Sequence, residues 1–424
     1  MKIISQFKKS FKSDFAKNVL TLFSGSTISQ IIPFLVAPIL TRMYAPEHFG
    51  EMGVILSIAG IFSIVATFQY ESAIMLPKKD EDAFNILALA VFITIFISFL
   101  SWIITKCFSG FISTILKIDS IEKWTFIIPV FVFLTGLFNA LNIWTSRKKQ
   151  YKRLAIRQIA QSTTGAGTKL SLGWLKYINS GLIWGTIVGQ LTSTGVLAIK
   201  TIQDSKYLFK SINFKSIKKN ALTYQNFPKY TMWQGFLDLV NASGVVFILS
   251  SFYGVAVVGF YTFTLGMLQK PTKMIGSAVS QVFYQNASEK VANNKLIYTD
   301  VLRLLKNLAI IGAIIFLPFL IAGPKIFSFV FGEKWLEAGR IAQIISPWLF
   351  FRFIGSPLTN VAMIKNKQKE FLYISMGMNI IFPALFLLFG WLEKDYLFTF
   401  IVGSSVMVVY FVFTISYIVR IANK

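Results

Sequence analysis

The chain has 424 residues, of which 54% are apolar and only 14% are charged, and its mean hydropathy is +0.62. So few charges cannot cover the surface of a water-soluble domain of this size, so the composition predicts an integral membrane protein. A net charge of +24 would suggest nucleic acid as the partner of a soluble protein. Here the basic residues flank apolar segments, so no nucleic-acid partner is expected. With one cysteine, Cys107, and one histidine, His48, disulfides, Cys/His zinc sites and Ser-His-Asp catalysis are excluded, and no metal site is expected.

The first 17 residues form a basic amphipathic segment. Ile3, Phe7 and Phe11 recur at helical spacing with lysines between them. This pattern predicts a short helix lying on the lipid surface, or alternatively a frayed basic tail. The segment lacks an apolar core of the length that a cleavable signal peptide needs.

Twelve apolar stretches follow, each long enough to cross a ~30 Å hydrocarbon core as an α-helix. They are predicted at residues 19–40, 50–74, 83–105, 124–145, 156–175, 181–199, 230–251, 255–278, 304–323, 341–363, 370–391 and 396–419. The fifth is the weakest, because residues 161–165 are polar. The pattern predicts an all-α integral membrane protein of about twelve transmembrane helices.

Lysine and arginine concentrate in the N-terminal segment, in every second gap between the apolar stretches and in the C-terminal tail. Basic loops stay on the cytoplasmic side of a membrane, so this alternation predicts an even number of spans. Both termini are then cytoplasmic, and a count of twelve fits best.

The two halves of the chain look like repeats. Six predicted helices lie in an N-terminal lobe, 18–205, and six in a C-terminal lobe, 230–424, joined by a basic cytoplasmic linker, 206–229. The repeat consists of these matches: Tyr44 with Tyr253, Gly50 with Gly259, and, at one constant offset, Pro129, Asn142, Lys149 and Gln150 with Pro347, Asn360, Lys367 and Gln368. With an even number of helices per half, the repeats run parallel, and internal repeats are typical of transporters that bind substrate in a central cavity between the halves.

The turn after the first span resembles that of a known family. Residues 40–50 read LTRMYAPEHFG, with the structural motif Arg42, Tyr44, Pro46, Phe49 and Gly50. This is similar to the leucine-x-arginine…proline-x-x-phenylalanine-glycine turn of bacterial polysaccharide-export (Wzx-type) flippases, which belong to the multidrug/oligosaccharidyl-lipid/polysaccharide exporter superfamily. Residues 70–74, YESAI, are similar to the same group.

The resemblance implies an inverted-V fold of two six-helix lobes. It also implies an activity, the movement of undecaprenyl-pyrophosphate-linked oligosaccharide for O-antigen or capsule from the inner to the outer leaflet of the bacterial cytoplasmic membrane. Polysaccharide polymerase and chain-length machinery are then expected partners, besides membrane lipids.

Four basic residues lie more than two positions from either end of a predicted span: Lys169, Lys270, Lys273 and Arg352. A charge facing lipid costs roughly 2.5–3.5 kcal/mol on translocon scales, so such residues are expected to line a polar cavity. Arg352 ranks first as a phosphate ligand, because a guanidinium pairs bidentately with phosphate oxygens. Lys270 and Lys273 share a helix face and rank second, and Pro271 between them predicts a kink or local unwinding. The alternative for the three lysines is snorkelling to the membrane surface.

Two intramembrane acids, Asp238 and Glu71, are candidates for coupling transport to H⁺ or Na⁺, because a buried carboxylate can load and unload a cation. The alternative is that either acid is a static ion-pair partner of Arg352 or Lys270. No other cofactor is expected. Polar residues including Asn142 and Asn360 are expected to bind sugar, and Trp348 is a candidate for stacking on a pyranose ring.

Three other functions compete. A multidrug or cation antiporter of the same superfamily usually carries an acid deep in its first helix, and residues 19–40 have none. A lipid II flippase differs only in the head group that it moves. An O-antigen polymerase or glycosyltransferase needs a sizeable external loop with catalytic acids, whereas the longest external gaps, 106–123 and 324–340, are short. A non-enzymatic transporter is therefore expected.

Overall fold

The computed structural model describes residues 14–118, 121–293, 296–365 and 367–423. Side chains within that part are described except at residues 14–23, 121, 234, 237, 238, 292, 368, 372, 375 and 378. The described residues form helices and contain no β-strand. The predicted surface segment, 1–17, lies outside the described residues apart from the helix backbone that begins at Asp14.

In the first half of the chain, the described residues form six long helices and three short ones. These are α1 (Asp14–Met43), α2 (Pro46–Val65), short α3 (Tyr70–Ala73), α4 (Asp80–Cys107), short α5 (Ser109–Leu116), short α6 (Ile121–Trp124), α7 (Ile127–Arg147), α8 (Tyr151–Trp174) and α9 (Ile178–Asp204). The linker follows as a 3₁₀-helix (Lys206–Ser211), α10 (Phe214–Thr223) and a π-helical turn (Phe227–Thr231).

The second half again contains six long helices. These are α11 (Met232–Tyr253), α12 (Val255–Ala292), α13 (Tyr298–Phe331), α14 (Leu336–Gly355), α16 (Gln368–Trp391) and α17 (Tyr396–Ala422), with short α15 (Asn360–Ile364) before α16. Two 3₁₀-helices, Glu333–Trp335 and Ser356–Thr359, flank α14.

The twelve long helices confirm the predicted all-α membrane fold. Eight stretches of described helix are long and apolar enough to cross a membrane. Helices α11 and α16 carry shorter apolar stretches, Leu239–Tyr253 and Asn379–Trp391, and α8 and α12 complete the set. Large apolar side chains on the outside, such as Phe92, Ile314 and Phe329, are mostly exposed, as expected where lipid is the solvent.

The helical backbone differs from the predicted spans at several places. The predicted span 50–74 is interrupted, since Phe68 and Gln69 have φ of 48° and 61°, a left-handed backbone that cannot continue a right-handed helix. Local unwinding at Pro271 is not observed, because α12 continues through that residue. The helical backbone is broken instead in α13, at Ala322, between Pro318 and Pro324.

The chain divides into two compact units. Unit 1 comprises the described residues up to Tyr44 and Met52–Ser243, and unit 2 comprises Ala45–Glu51 and the chain from Gly244 onward. The linker packs on unit 1, where the Asn85 amide nitrogen donates to the Ser211 carbonyl at 3.0 Å. Each unit has its own apolar core, which includes Trp144 in unit 1 and Phe283 in unit 2. The lobe boundaries drawn from the sequence stay a prediction.

Candidate functional site

In unit 2, Arg352 lies on α14 beside the ring of Trp348. The two residues are four apart and therefore share a helix face. The guanidinium carbon is 5.7 Å from the centre of the indole, within the range of a cation–π contact. Trp348 is 3% exposed and stacks in parallel on Phe411, which leaves too little of its surface for the predicted stacking on sugar. The buried indole thus supports the guanidinium from one side.

The Arg352 side chain lines a small cleft between α12 and α14. The cleft is lined by Gln269, Thr272, Lys273, Gly276, Leu349, Arg352, Phe353 and Ser356. It brings Lys273 to Arg352, while Lys270 is not among the lining residues. Two cations and several hydrogen-bonding groups thus face one cleft, an arrangement that suits an anion.

Within the described side chains of unit 2, Arg352 makes no ion pair. The predicted alternative partner Asp238 has a side chain outside the described residues. The other, Glu71, lies in unit 1, where it is 6% exposed and accepts a hydrogen bond from the Thr67 hydroxyl. No described basic side chain of unit 1 pairs with Glu71. Both the coupling role and the ion-pair alternative stay predictions.

The two repeat-related asparagines have different environments. The Asn360 amide nitrogen donates to the Ser280 hydroxyl at 2.8 Å, which ties α15 to α12. The side-chain amide oxygen of Asn142 accepts a hydrogen bond at 3.1 Å from Nη2 of Arg157 on α8. These contacts show that both amides are engaged within the protein; their predicted contact with sugar stays a prediction.

The sequence analysis did not single out Arg157, which falls at the very start of the predicted span 156–175. In the structure α8 begins at Tyr151, so Arg157 lies well inside the helix. The available signal was helical spacing, because Gln161 lies four residues further along the same face. The weak apolar character of this helix marks a polar face rather than a marginal span.

The turn motif begins with a tyrosine that anchors α1 in unit 1. Tyr44 is 1% exposed and its hydroxyl donates to the Lys169 carbonyl at 2.7 Å. Gly173 and Gly181, from α8 and α9, leave room for its ring. Burial raises the pKa of the Tyr44 phenol to about 12, so the hydroxyl remains a donor at neutral pH. The Lys169 side chain itself is half-buried.

The rest of the motif lies in unit 2, apart from exposed Arg42, which donates to the Pro38 carbonyl. Phe49 packs edge-on against Phe263 and Trp335, with ring centres 5.3 Å and 5.0 Å apart. Pro46 starts α2, where its missing N–H costs no helical hydrogen bond. The motif residues therefore fix the packing of the first turn of α2.

The chain is similar to proteins of polysaccharide synthesis. Residues 39–340 match the model of a family described as "Polysaccharide biosynthesis protein". A relative from Klebsiella pneumoniae, an "Uncharacterized membrane protein in cps region", is 21% identical over 367 residues, covering 84% of this chain and 72% of its own.

Two solved structures share the fold. The inward closed conformation of the lipid II flippase MurJ has a TM-score of 0.68 at 13% identity, covering 95% of this chain and 87% of its own. The inward-facing conformation of a multidrug resistance MATE family transporter of the MOP superfamily has a TM-score of 0.65 at 12% identity, covering 92% and 96%. These likenesses confirm the twelve-helix architecture of that superfamily.

Proposed function

Because the chain belongs to the family of polysaccharide biosynthesis proteins, we propose that it moves undecaprenyl-pyrophosphate-linked oligosaccharide repeat units, of O-antigen or capsule, across the bacterial cytoplasmic membrane. The observation that carries this substrate assignment is the cleft in unit 2, where Arg352 and Lys273 face one space and Arg352 has no acidic partner among the described side chains of that unit. A relative described as a membrane protein in a cps region and a lipid II flippase of the same fold support it.

The chemistry of the cargo explains why such a cleft is needed. A diphosphate linker and a string of sugars are rejected by hydrocarbon, since a charge or polar group without partners is costly there. A cleft lined by two mutually repelling cations binds a diphosphate more strongly than a neutral cavity would, because the anion attracts both cations and relieves their repulsion. Alternating access would then expose the loaded cleft to the other side, where water competes for the phosphate oxygens and the cargo leaves.

Glu71 and Asp238 are proposed to couple this cycle to H⁺ or Na⁺. Glu71 is buried and its described contact is a neutral hydroxyl rather than a cation, so its charge depends on what it binds. No group of three or more metal-ligating side chains occurs among the described residues, and a single carboxylate with hydroxyl neighbours suits a proton or a weakly held Na⁺.

We also propose an orientation of the protein in the membrane and the partners that receive its cargo. Both termini face the cytoplasm, where the repeat unit is assembled, and the polymerase and chain-length machinery receive it on the other side. Lys169 on α8 would contact the cargo late in its passage.

The proposed function is tested by deleting the gene and analysing lipid-linked sugars and surface polysaccharide together. Complete repeat units retained on undecaprenyl pyrophosphate at the cytoplasmic face, with surface polymer lost, are expected. Single units displayed at the surface without long chains would assign a polymerase instead. Retained lipid II with cell lysis would assign a lipid II flippase, and unchanged glycolipids with new drug sensitivity would assign a multidrug transporter. Re-expression of the gene is the control and should restore the polymer.

A further inference from the structure

A second arginine, Arg157, is half-buried within unit 1 and lies over an aromatic ring, as Arg352 does in unit 2. The guanidinium carbon of Arg157 lies 4.6 Å from the centre of the Phe138 ring, and its Nη2 donates to the Asn142 oxygen at 3.1 Å. Phe138 and Asn142 both belong to α7, four residues apart, so one face of α7 holds the plane of the guanidinium. This fixed position distinguishes Arg157 from a flexible side chain that follows the water surface.

Most of the hydrogen-bonding capacity of Arg157 is unused. Among the described residues it forms no ion pair, and its one hydrogen bond is the bond to Asn142. Its Nε is shielded from solvent without a partner, as is the amide oxygen of its neighbour Gln158. A shielded charged donor without a partner costs free energy, so its presence calls for an explanation, and a ligand that completes its hydrogen bonds supplies one.

The surroundings of Arg157 continue as a polar face into the helix bundle of unit 1. Gln161 follows one turn later and donates to the Gln190 amide oxygen on α9 at 2.9 Å. Arg157 lies about 9 Å, and Gln161 about 15 Å, from the start of α8 at a rise of roughly 1.5 Å per residue. Both side chains are half-buried, so one edge of each remains accessible. A cation followed by amides suits a cargo with a charged group and neutral hydroxyls.

We propose that Arg157 is an anion-binding residue of unit 1, positioned by Asn142 and Phe138, which binds an anionic group of the cargo through its unpaired donors. The inference rests on the proposed function, since it assumes that the cargo carries a negative charge. The anionic group is either the diphosphate linker of the carrier lipid or the carboxylate of an acidic sugar. Both present pairs of oxygens to which the planar guanidinium can donate two parallel hydrogen bonds.

Arg157 is not the repeat counterpart of Arg352. Arg352 lies on the fourth long helix of its half and Arg157 on the fifth, so neither the constant offset of the repeat nor its motif relates them. Each unit therefore has an arginine at a different position in its half, each placed over an aromatic ring. This arrangement suits a cargo whose charged group is bound by different units at different stages.

The test uses the purified full-length protein in lipid nanodiscs and two probes. One is undecaprenyl diphosphate, and the other is an oligogalacturonate that carries acidic sugars but no lipid. Binding of each probe is measured for the wild type, Arg157→Gln, Arg352→Gln and Lys152→Gln. Lys152 is exposed on the same helix, so its variant removes an equal charge without touching the polar face. We expect Arg157→Gln to weaken binding of one probe about tenfold or more at an unchanged melting temperature, while Lys152→Gln binds as the wild type does.

The probe that loses affinity identifies the anionic group. Wild-type affinity of Arg157→Gln for both probes would overturn the inference, while weaker diphosphate binding by Arg352→Gln would leave the proposed function standing. A wild-type protein that binds neither probe would overturn both. If the glutamine variant does not fold, Arg157→Lys replaces it, because lysine keeps the positive charge but lacks the planar guanidinium that can donate two parallel hydrogen bonds. It is expected to bind several-fold more weakly, and undiminished affinity would overturn the inference.

Discussion

Gly50 and Gly259 pack against each other reciprocally in unit 2. The space that a Cβ of Gly50 would occupy holds the carbonyl of Val255, four residues before Gly259. The space that a Cβ of Gly259 would occupy holds the carbonyl of Pro46, four residues before Gly50. The two residues that the sequence matched as repeat equivalents are thus symmetric partners in one close crossing of the α2 and α12 N-termini.

Replacing either glycine by alanine should disrupt this crossing. Gly50→Ala and Gly259→Ala each push a methyl group into backbone that cannot rotate away, which we expect to destabilise the protein by about 1–3 kcal/mol. Gly266→Ala is the matched control, since that glycine lies in the same α12 with open space around it and alanine favours a helix. Thermal unfolding in detergent checks the ranking. Equal melting temperatures for Gly50→Ala and Gly266→Ala would show that the crossing is not tight.

Tyr44 and Gly181 should be energetically coupled. A Cβ on Gly181 would meet the Tyr44 hydroxyl first, so Gly181→Ala is expected to lower the melting temperature clearly. Tyr44→Phe alone should cost about 1 kcal/mol, because it removes the hydrogen bond to the Lys169 carbonyl. In the double variant the missing hydroxyl leaves room for the methyl group. The double-mutant cycle is therefore expected to show a less-than-additive loss, and simple additivity would contradict the contact.

Arg352→Ala should abolish export while the protein stays in the membrane at a normal level. The variant removes the guanidinium that faces the cleft of unit 2, and Arg352→Lys should retain part of the activity if charge alone is needed. Arg340→Ala is the control, because Arg340 is exposed on the same α14 and is paired at the surface with Glu337. Surface polysaccharide and membrane protein are measured together. Full surface polymer from Arg352→Ala would remove this residue from the proposed mechanism.

Lys273 and Lys270 should differ although the sequence ranked them equally. Lys273 lines the cleft with Arg352 and Lys270 does not, so Lys273→Ala is expected to reduce export several-fold more than Lys270→Ala. The two variants remove the same charge from the same helix and control for each other. Complementation of the deletion strain provides the measurement, and the reverse order of effect would mean that the cleft is not the binding site.

Glu71→Gln should uncouple transport from an ion gradient. The amide keeps the size of the side chain and a hydrogen bond with Thr67, but it cannot exchange a cation. In proteoliposomes with an imposed H⁺ or Na⁺ gradient, the variant is expected to lose the stimulation that the gradient gives the wild type. Glu81→Gln, at an exposed position on α4, should remain coupled. A Glu71→Gln protein with wild-type stimulation would exclude this carboxylate from coupling.

The sequence predicted the helices well because membrane insertion is a local problem. A span needs about twenty apolar residues whose backbone hydrogen bonds form within the segment, so composition alone placed ten of the twelve predicted spans almost wholly on one long helix. The exceptions were the span predicted at 341–363, which runs past the end of α14 at Gly355, and the span predicted at 50–74, where the left-handed backbone at Phe68 and Gln69 ends the regular helix. Nothing in the composition of that stretch marks the break, since both residues also occur within helices.

By itself the sequence determined the class, the span positions, the family turn at Leu40–Gly50 and the small set of charges that could act inside the membrane. Only the tertiary structure decided which of those charges meet. It joined Lys273 rather than Lys270 to Arg352, placed Trp348 beneath the guanidinium, and brought Arg157 to Asn142 and Phe138. The physical reason is that burial in a membrane depends on the residues of one segment, whereas a binding site depends on side chains from helices far apart in the chain.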